Sequence, residues 1–494
     1  MSVRMLRPLR ILIVLTALLA AAGTMSRASA DTPVRVVRIP ERALVPDVVR
    51  DAGGLLHMVY GLDHVAYYVQ SLNDGATLSA PVKVNSEGTV ETEMGERGPK
   101  LAIGRDGVIH VAWADDWVPG MQCYVHSARS LDGGKTFEAR QTLSSMPGVD
   151  GVTMTADDKG HVVAFWHVMQ PPQERIPQAT WLWLARSTDS GATFGASERV
   201  TVSNLPALAC SMCMMRARVG TEGRLYLAFR SAAESIRDFY VLDGSMTDNT
   251  FTAVRVNEDN WKIDYCPMCG PELTFTPDGR VLCAFMTRNK VYWSISGPKL
   301  RTFALHVPTP ADEKDEIYPT AVANSKGEVL FVWQVGPMST EGTATVKWAL
   351  YRTDGRFTGR QGELGTSFSG TKATAFTCRD DAFCIVTTAR PTPAVAVRDG
   401  RDGKERTHIM ELRETVQWSP LAPFAGAGSI GSPGGTHPVV ADGNTVHAVY
   451  AQGGRIYYRR SADAAVTWSD AVQLVTSGSA QYPCSWRTLG PAGD

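Results

Sequence analysis

The chain has 494 residues, with 49 basic against 50 acidic side chains, a formal net charge of −1 and 44% hydrophobic residues. That balance leaves no basic field for nucleic acid or for an anionic lipid surface. Length alone would suggest two or three domains, but an internal repeat overrides that expectation.

In chain order the N-terminus comes first. Arg4, Arg7 and Arg10 precede an almost unbroken apolar stretch from Ile11 to Ala22, and Ala28-Ser29-Ala30 is a small-x-small cleavage site. The pattern predicts a secretory signal peptide over residues 1–30, cut after Ala30. Its apolar core is short for a bilayer span, and no later segment reaches about 18 consecutive apolar residues. The mature chain is therefore expected to lack a membrane span and to be periplasmic or secreted.

From there one unit recurs. A glycine is followed by a short apolar run ending on an aromatic: Gly54 to Tyr60, Gly107 to Trp113, Gly160 to Trp166, Gly223 to Phe229, Gly279 to Phe285, Gly327 to Trp333 and Gly443 to Tyr450. In the first six copies, at a fixed spacing before the glycine, stand Pro46, Pro99, Val152, Met215, Pro271 and Pro319, and Pro438 takes that part in the shorter last copy. Short β-rich runs broken by Asp-Gly and Gly-Gly turns predict antiparallel hairpins. A period of roughly 50 residues with no helix-period segment between copies predicts an all-β propeller of four-stranded antiparallel blades. The interval from Pro319 to Pro438 spans about two such steps. A degenerate copy is thus expected at Ala373 to Cys378 with Phe383 to Val386. Eight blades are predicted, with seven as the alternative, in a single propeller over residues 31–494. The stretch Pro391 to Arg406 reads as a long solvated loop in the degenerate blade. His57, His110 and His447 share one repeat column with Tyr226, which marks a structural strand position rather than a metal site.

A second signature follows the third strand. Ser130-x-Asp132-x-Gly134-x-Thr136-Phe137 recurs as Ser187-x-Asp189-x-Gly191-x-Thr193-Phe194. It is worn to Ser71-x-Asn73 with Gly75 and Thr77, and to Ser461-x-Asp463 with Thr467-Trp468. The Asp accepts backbone and hydroxyl hydrogen bonds in a tight turn and the Gly takes positive φ. These turns resemble the Asp box, or BNR repeat, of sialidase-like propellers, over nearly the whole mature chain. In that family they lie away from the active-site face.

The resemblance implies an arginine clamp for a substrate carboxylate, a Tyr–Glu nucleophile pair and an Asp acid/base, which suits a cationic transition state beside a carboxylate. Arg97 stands in the register of the clamp. The literal Arg38-Ile39-Pro40 is out of register and is placed on a ring-closing strand. Asp115 or Asp116, just past Trp113, stands where the acid/base loop would begin. Arg216 or Arg218, Glu272 and Tyr318 are inner-strand candidates for the remaining parts.

Two motifs depart from that family. Cys210-Ser211-Met212-Cys213 and Cys266-Pro267-Met268-Cys269 hold equivalent positions in adjacent repeats, both at the channel face. Three readings stay open: two local disulfides, four thiolates sharing copper or zinc, with nearby methionines favouring Cu(I), or a redox dithiol. Cys378 and Cys384 can pair across a hairpin, and Cys283 reads as core. With nine cysteines, full pairing leaves one over.

Two functions follow. One is an exported sialidase-like propeller that recognises a glycan or other small polar ligand at the channel face, as a lectin or as an exo-sialidase-type glycoside hydrolase. The alternative is a non-enzymatic periplasmic propeller whose paired CxxC site binds copper, zinc or a partner protein.

Overall fold

A computed structural model describes residues 32–40, 43–92, 95–116, 123–147, 149–168, 179–303, 305–336, 343–368, 371–388, 394–398, 405–409, 439–442, 445–452, 455–461, 469 and 472–473. The expected leader, Pro438 and Thr467-Trp468 lie outside them. Contacts divide the chain into two units, Met1–Leu412 and Arg413–Asp494, each taken by itself below.

The first unit is built from repeated small sheets. Blade 1 runs through Leu44–Arg50, Leu56–Leu62, Val65–Ser71 and Val82–Lys83, each strand antiparallel to the last. Blades 2 to 6 repeat this from inner strands Lys100–Ile103, Val149–Ala156, Arg216–Val219, Glu272–Phe275 and Glu316–Ala323. Blade 7 pairs Thr374–Thr377 with Phe383–Thr388, and Val34–Ile39 adds to it in parallel. The inner strands touch in order from blade 1 to blade 7, and blade 7 touches blade 1 again. The ring therefore closes on seven blades, the lower of the two predicted counts.

The count of eight came from taking both late copies as blades. The degenerate copy is indeed a blade, completed by the N-terminal strand. The last copy instead lies in the second unit, where Val439–Asp442, Thr445–Gln452, Arg455–Ser461 and Val472–Gln473 form a four-stranded sheet of their own. Arg38, as expected, sits on the ring-closing strand. The loop expected over Pro391 to Arg406 contains a hairpin instead, Ala394–Arg398 against Glu405–Ile409. Its alternating Ala394-Val395-Ala396-Val397 run suits a strand. Among the described residues, helix is confined to three short 3-10 turns.

The repeat glycines have a backbone reason. Gly54, Gly107, Gly160, Gly223, Gly279 and Gly327 all have φ between 71° and 90° at the hairpin turn, a region costly for any side chain. The aromatics that end each run, Tyr60, Trp113, Trp166, Phe229, Phe285 and Trp333, are all buried. They pack between neighbouring blades: one cluster joins blades 5 and 6 around Trp293, Phe331 and Tyr351, and another joins blades 3 and 4 around Phe165, Phe229 and Phe251. Each blade thus buries its faces only against its neighbours.

A bulge recurs just before the marker position. Val45, Gly151 and Tyr318 have φ of 49°, 59° and 52°, and the pairing register shifts there in blades 1, 3 and 6. Such a bulge bends the strand and re-aims the next side chain, here Asp47 in blade 1. The Ser-x-Asp turns also repeat closely. Asp132 accepts from Ser130 Oγ at 2.8 Å and Thr136 Oγ1 at 2.6 Å, and Asp189 from Ser187 Oγ and Thr193 Oγ1 at 2.7 Å each. These bonds, those from Thr193 first, hold the Asp189 carboxyl at about 2.

Candidate functional site

The inner strands enclose a cavity of about 390 Å³. Arg50, Arg216, Arg218 and Glu272 line it among Val48, Ile103, Phe275, Val322 and several threonines. At the leading ends of the strands the channel is plugged by charge. Arg216 Nε donates to Glu272 Oε1 at 2.6 Å, and its Nη2 donates to Asp47 Oδ1. Lys372 Nζ lies 3.4 Å from Glu272 Oε2 and 3.3 Å from Glu96 Oε1, and Lys100 Nζ donates to the Glu96 carbonyl at 3.2 Å. Asp47 Oδ2 also accepts the Leu101 N–H at 2.9 Å.

All six of these charged residues are buried. Burial alone would raise Glu272, but Arg216, Lys372 and Arg218 bring it down to about 2. Asp47 is likewise held well below its ordinary value, because Arg216, Arg218 and Lys100 outweigh its burial. Burial, with Arg216 and Lys372 close by, pushes Lys100 down to about 8. The plug is a network in which Arg216 and Lys372 hold carboxylates and Lys100 holds the Glu96 carbonyl.

The residues singled out for hydrolysis are not gathered around one open cleft. Arg97 is buried, with Nη2 2.7 Å from Asp150 Oδ2 and Nε 3.2 Å from Glu91 Oε1. Arg216 and Glu272 are joined to each other. Tyr318 is 2% exposed, and burial holds its phenol well above the ordinary value. Asp115 accepts from His126 Nε2 at 2.9 Å and from the Tyr124 N–H at 3.1 Å. Asp116 lies 2.9 Å from His64 Nδ1. A clamp for a substrate carboxylate needs cations with free valence; Arg97 and Arg216 both already hold internal carboxylates.

The cysteines do come together. Cys210 ends the strand Leu208–Cys210, which pairs with the third strand of blade 3, Ala179–Ser187. The turn after it passes through Met212 at φ 63°, and the matching turn after Cys266 passes through Met268 at φ 46°. The two motifs therefore share a backbone shape as well as a sequence. Cys210 Sγ lies 3.3 Å from Cys213 Sγ and 3.3 Å from Cys266 Sγ, and Cys213 Sγ lies 3.4 Å from Cys266 Sγ. Three sulfurs from two blades thus form a near-equilateral triangle.

Cys269 stands apart from the triangle. Its Sγ accepts the Tyr318 N–H at 3.4 Å, and it is fully buried. Cys210 and Cys213 are buried while Cys266 is partly exposed, so the triangle has one side toward solvent. Burial and the neighbouring Cys213 raise the Cys210 thiol. For Cys213, hydrogen bonding with Cys210 and Cys266, the Arg230 charge and the Cys269 N–H outweigh burial and lower the thiol.

Several residues that matter here carry no sequence motif. Arg230 follows the aromatic Phe229, and Arg237 lies in the next loop; both are buried. His167 is 1% exposed with neither ring nitrogen hydrogen-bonded, and burial pushes it down to about 4, so the imidazole is neutral. Asp150, Cys213 and Arg97 are its charged neighbours. Cys378 and Cys384, expected to face each other, have Sγ atoms 2.8 Å apart across the blade 7 hairpin. Cys283 is fully buried on its strand.

No family model matches the chain, and no curated protein matches it. Solved structures do resemble it. A Dyadobacter fermentans protein of unknown function is 17% identical with a TM-score of 0.43, covering 62% of this chain and 94% of its own. A Penicillium chrysogenum α-L-arabinanase in complex with arabinobiose is 13% identical with a TM-score of 0.43, covering 66% and 98%. The Hadza microbial sialidase Hz136 is 15% identical with a TM-score of 0.40, covering 66% and 74%.

Proposed function

We propose that this propeller is a metal-binding protein whose site is the thiol triangle of Cys210, Cys213 and Cys266. The observation that carries the reading is the mutual 3.3–3.4 Å approach of three sulfurs from two separate motifs. Three ligand atoms this close span the coordination sphere of one soft ion, whether zinc or copper. Binding displaces the thiol protons, so the ion and the fold stabilise each other. A chain exported through residues 1–30 would acquire its metal outside the cytoplasm.

The test is metal analysis with thiol counting on protein purified without chelator. About one equivalent of zinc or copper per chain is expected, lost in Cys213→Ser. A chain that carries no metal and takes none up after reduction would remove the reading.

A second reading rests on the channel cavity, whose Arg50, Arg218 and Glu272 among threonines suit a small polar ligand such as a glycan. Its hydrolytic form requires Arg97 to exchange Asp150 for a substrate carboxylate. Release from a fluorogenic sialoside, abolished by Arg97→Ala, supports it. No release across several sialosides and pH values sinks the hydrolytic form.

A further inference from the structure

Around the thiol triangle two buried guanidinium groups stand without the carboxylate contact that the buried arginines of the channel have. Arg97, Arg216 and Lys372 are buried cations, and each touches at least one carboxylate. Arg230 and Arg237 are just as buried, at 1% and 0% exposure, yet among the described residues neither has a carboxylate partner. Arg230 donates only to carbonyl oxygens: Nε and Nη2 to Cys269, Nη1 to Arg237, and Nη2 also to Met286. Its guanidinium otherwise lies over the Phe239 ring at 4.1 Å and the Trp261 ring at 5.6 Å. Arg237 donates Nε–H to the carbonyl of Tyr265, the residue before Cys266, and its Nη1 and Nη2 have no hydrogen-bond partner among the described residues.

A guanidinium cannot shed its charge at any ordinary pH, and burying one uncompensated is costly. Two of them beside one cluster call for two negative charges in that cluster. Three thiolates around a monovalent cation leave two negative charges; around a divalent cation they leave one. The fourth cysteine, which would suit tetrahedral zinc, has its sulfur on the Tyr318 N–H instead.

We propose that the site is built for a monovalent soft cation, cuprous copper, held by the three thiolates of Cys210, Cys213 and Cys266 with Arg230 and Arg237 as counter-charges. This rests on the metal-binding reading above and adds the ion, the coordination number and the balancing residues. Arg230 and Arg237 are positioning residues, since they act on the ion through the sulfurs.

The experiment uses the full reduced chain, titrated anaerobically with Cu(I) presented as its bicinchoninate complex and separately with Zn(II). One Cu(I) per chain is expected, with three sulfur neighbours and no fourth ligand by X-ray absorption. Cys269→Ser should leave the Cu(I) affinity within about twofold, because its sulfur is not a ligand. Arg230→Gln and Arg237→Gln should each weaken Cu(I) by at least about tenfold, since a neighbouring unit charge is little screened in a buried site. The loss for Zn(II) should be about half as large on a logarithmic scale, in proportion to the cluster charge. Arg230→Lys, which keeps the charge, separates that effect from misfolding and should retain most of the affinity.

Zn(II) bound with four ligands, His167 or Cys269 among them, and arginine variants that leave Cu(I) binding unchanged overturn this inference while the metal-binding reading stands. Binding of neither ion overturns both.

Discussion

Arg216 is the residue on which the channel plug turns, because two carboxylates from two other blades meet on its guanidinium. Arg216→Met would leave Asp47 and Glu272 buried with less than their charge in partners. It should cost about 3–5 kcal/mol, as breaking a buried pair from one side generally does; urea unfolding at neutral pH measures it. Gly270 poses a steric question instead. A Cβ there would sit 2.2 Å from the Met214 carbonyl oxygen, where the two cysteine motifs pass each other. Gly270→Ala should cost about 1–3 kcal/mol in chemical denaturation and weaken metal retention along with it. The repeat register located Arg97, Arg216, Glu272 and the cysteines at one face. What each side chain touches depends on partners from other blades, such as Asp150 for Arg97, and a register in one dimension carries no such information. It also took four cysteines as one set, whereas the backbone between Cys266 and Cys269 turns their sulfurs to different neighbours.

Among the elements, the inner strands and their turns were legible because each copy repeats the same backbone demand: a left-handed glycine at the hairpin and a buried aromatic at the end of the run. The blade count was harder. Blade 7 lacks the glycine-to-aromatic pattern and borrows a strand from the far end of the chain, so its spacing alone could not separate it from the copy in the second unit. That borrowed strand is testable. Val37 and Ile39 are buried against blades 1 and 7, beside Met58, Phe376 and Val386. Ile39→Asp would bury a carboxylate at 2% exposure with no designed partner and should lower stability by several kcal/mol. If limited proteolysis finds residues 32–40 no more accessible in that variant, the seam is less important than its burial indicates.

For the molecule as a whole, pH acts through groups spread around the ring. His110 and His167 are buried with unpartnered ring nitrogens, and burial pushes each from 6.5 to about 4. Both are depressed on folding, so the stability they confer is present above pH 6.5 and drains away as pH falls to 4. Glu272, depressed from 4.5 to about 2, confers stability present above pH 4.5 and lost toward pH 2, and Asp47 acts in the same direction. Each shift of this size corresponds to roughly 3 kcal/mol. The urea midpoint should therefore fall in two stages on acidification, beginning near pH 6.5. His110→Asn should roughly halve the first stage, leaving the part due to His167, and leave the second; a midpoint level down to pH 4.5 in the unaltered protein would contradict the account.

The parallel seam in blade 7 also sets a timetable. Arg38 and Thr388, joined by a hydrogen bond, are 350 residues apart, so the strand Val34–Ile39 is made long before the one it pairs with and is among the last to find its place. Bringing those ends together costs roughly 5 kcal/mol of chain entropy before any contact is gained. The blades in between can form early, since their hairpins are local and fold quickly. Until Phe383–Thr388 has been synthesised, Val37 and Ile39 travel with a bare strand edge, the form of chain most open to pairing with the wrong molecule. A permuted chain beginning at residue 43, with residues 32–40 attached after residue 388 through a crossover linker of about a dozen residues, would make the same parallel seam between sequence neighbours. Its final assembly step would no longer wait on the whole circuit of the ring.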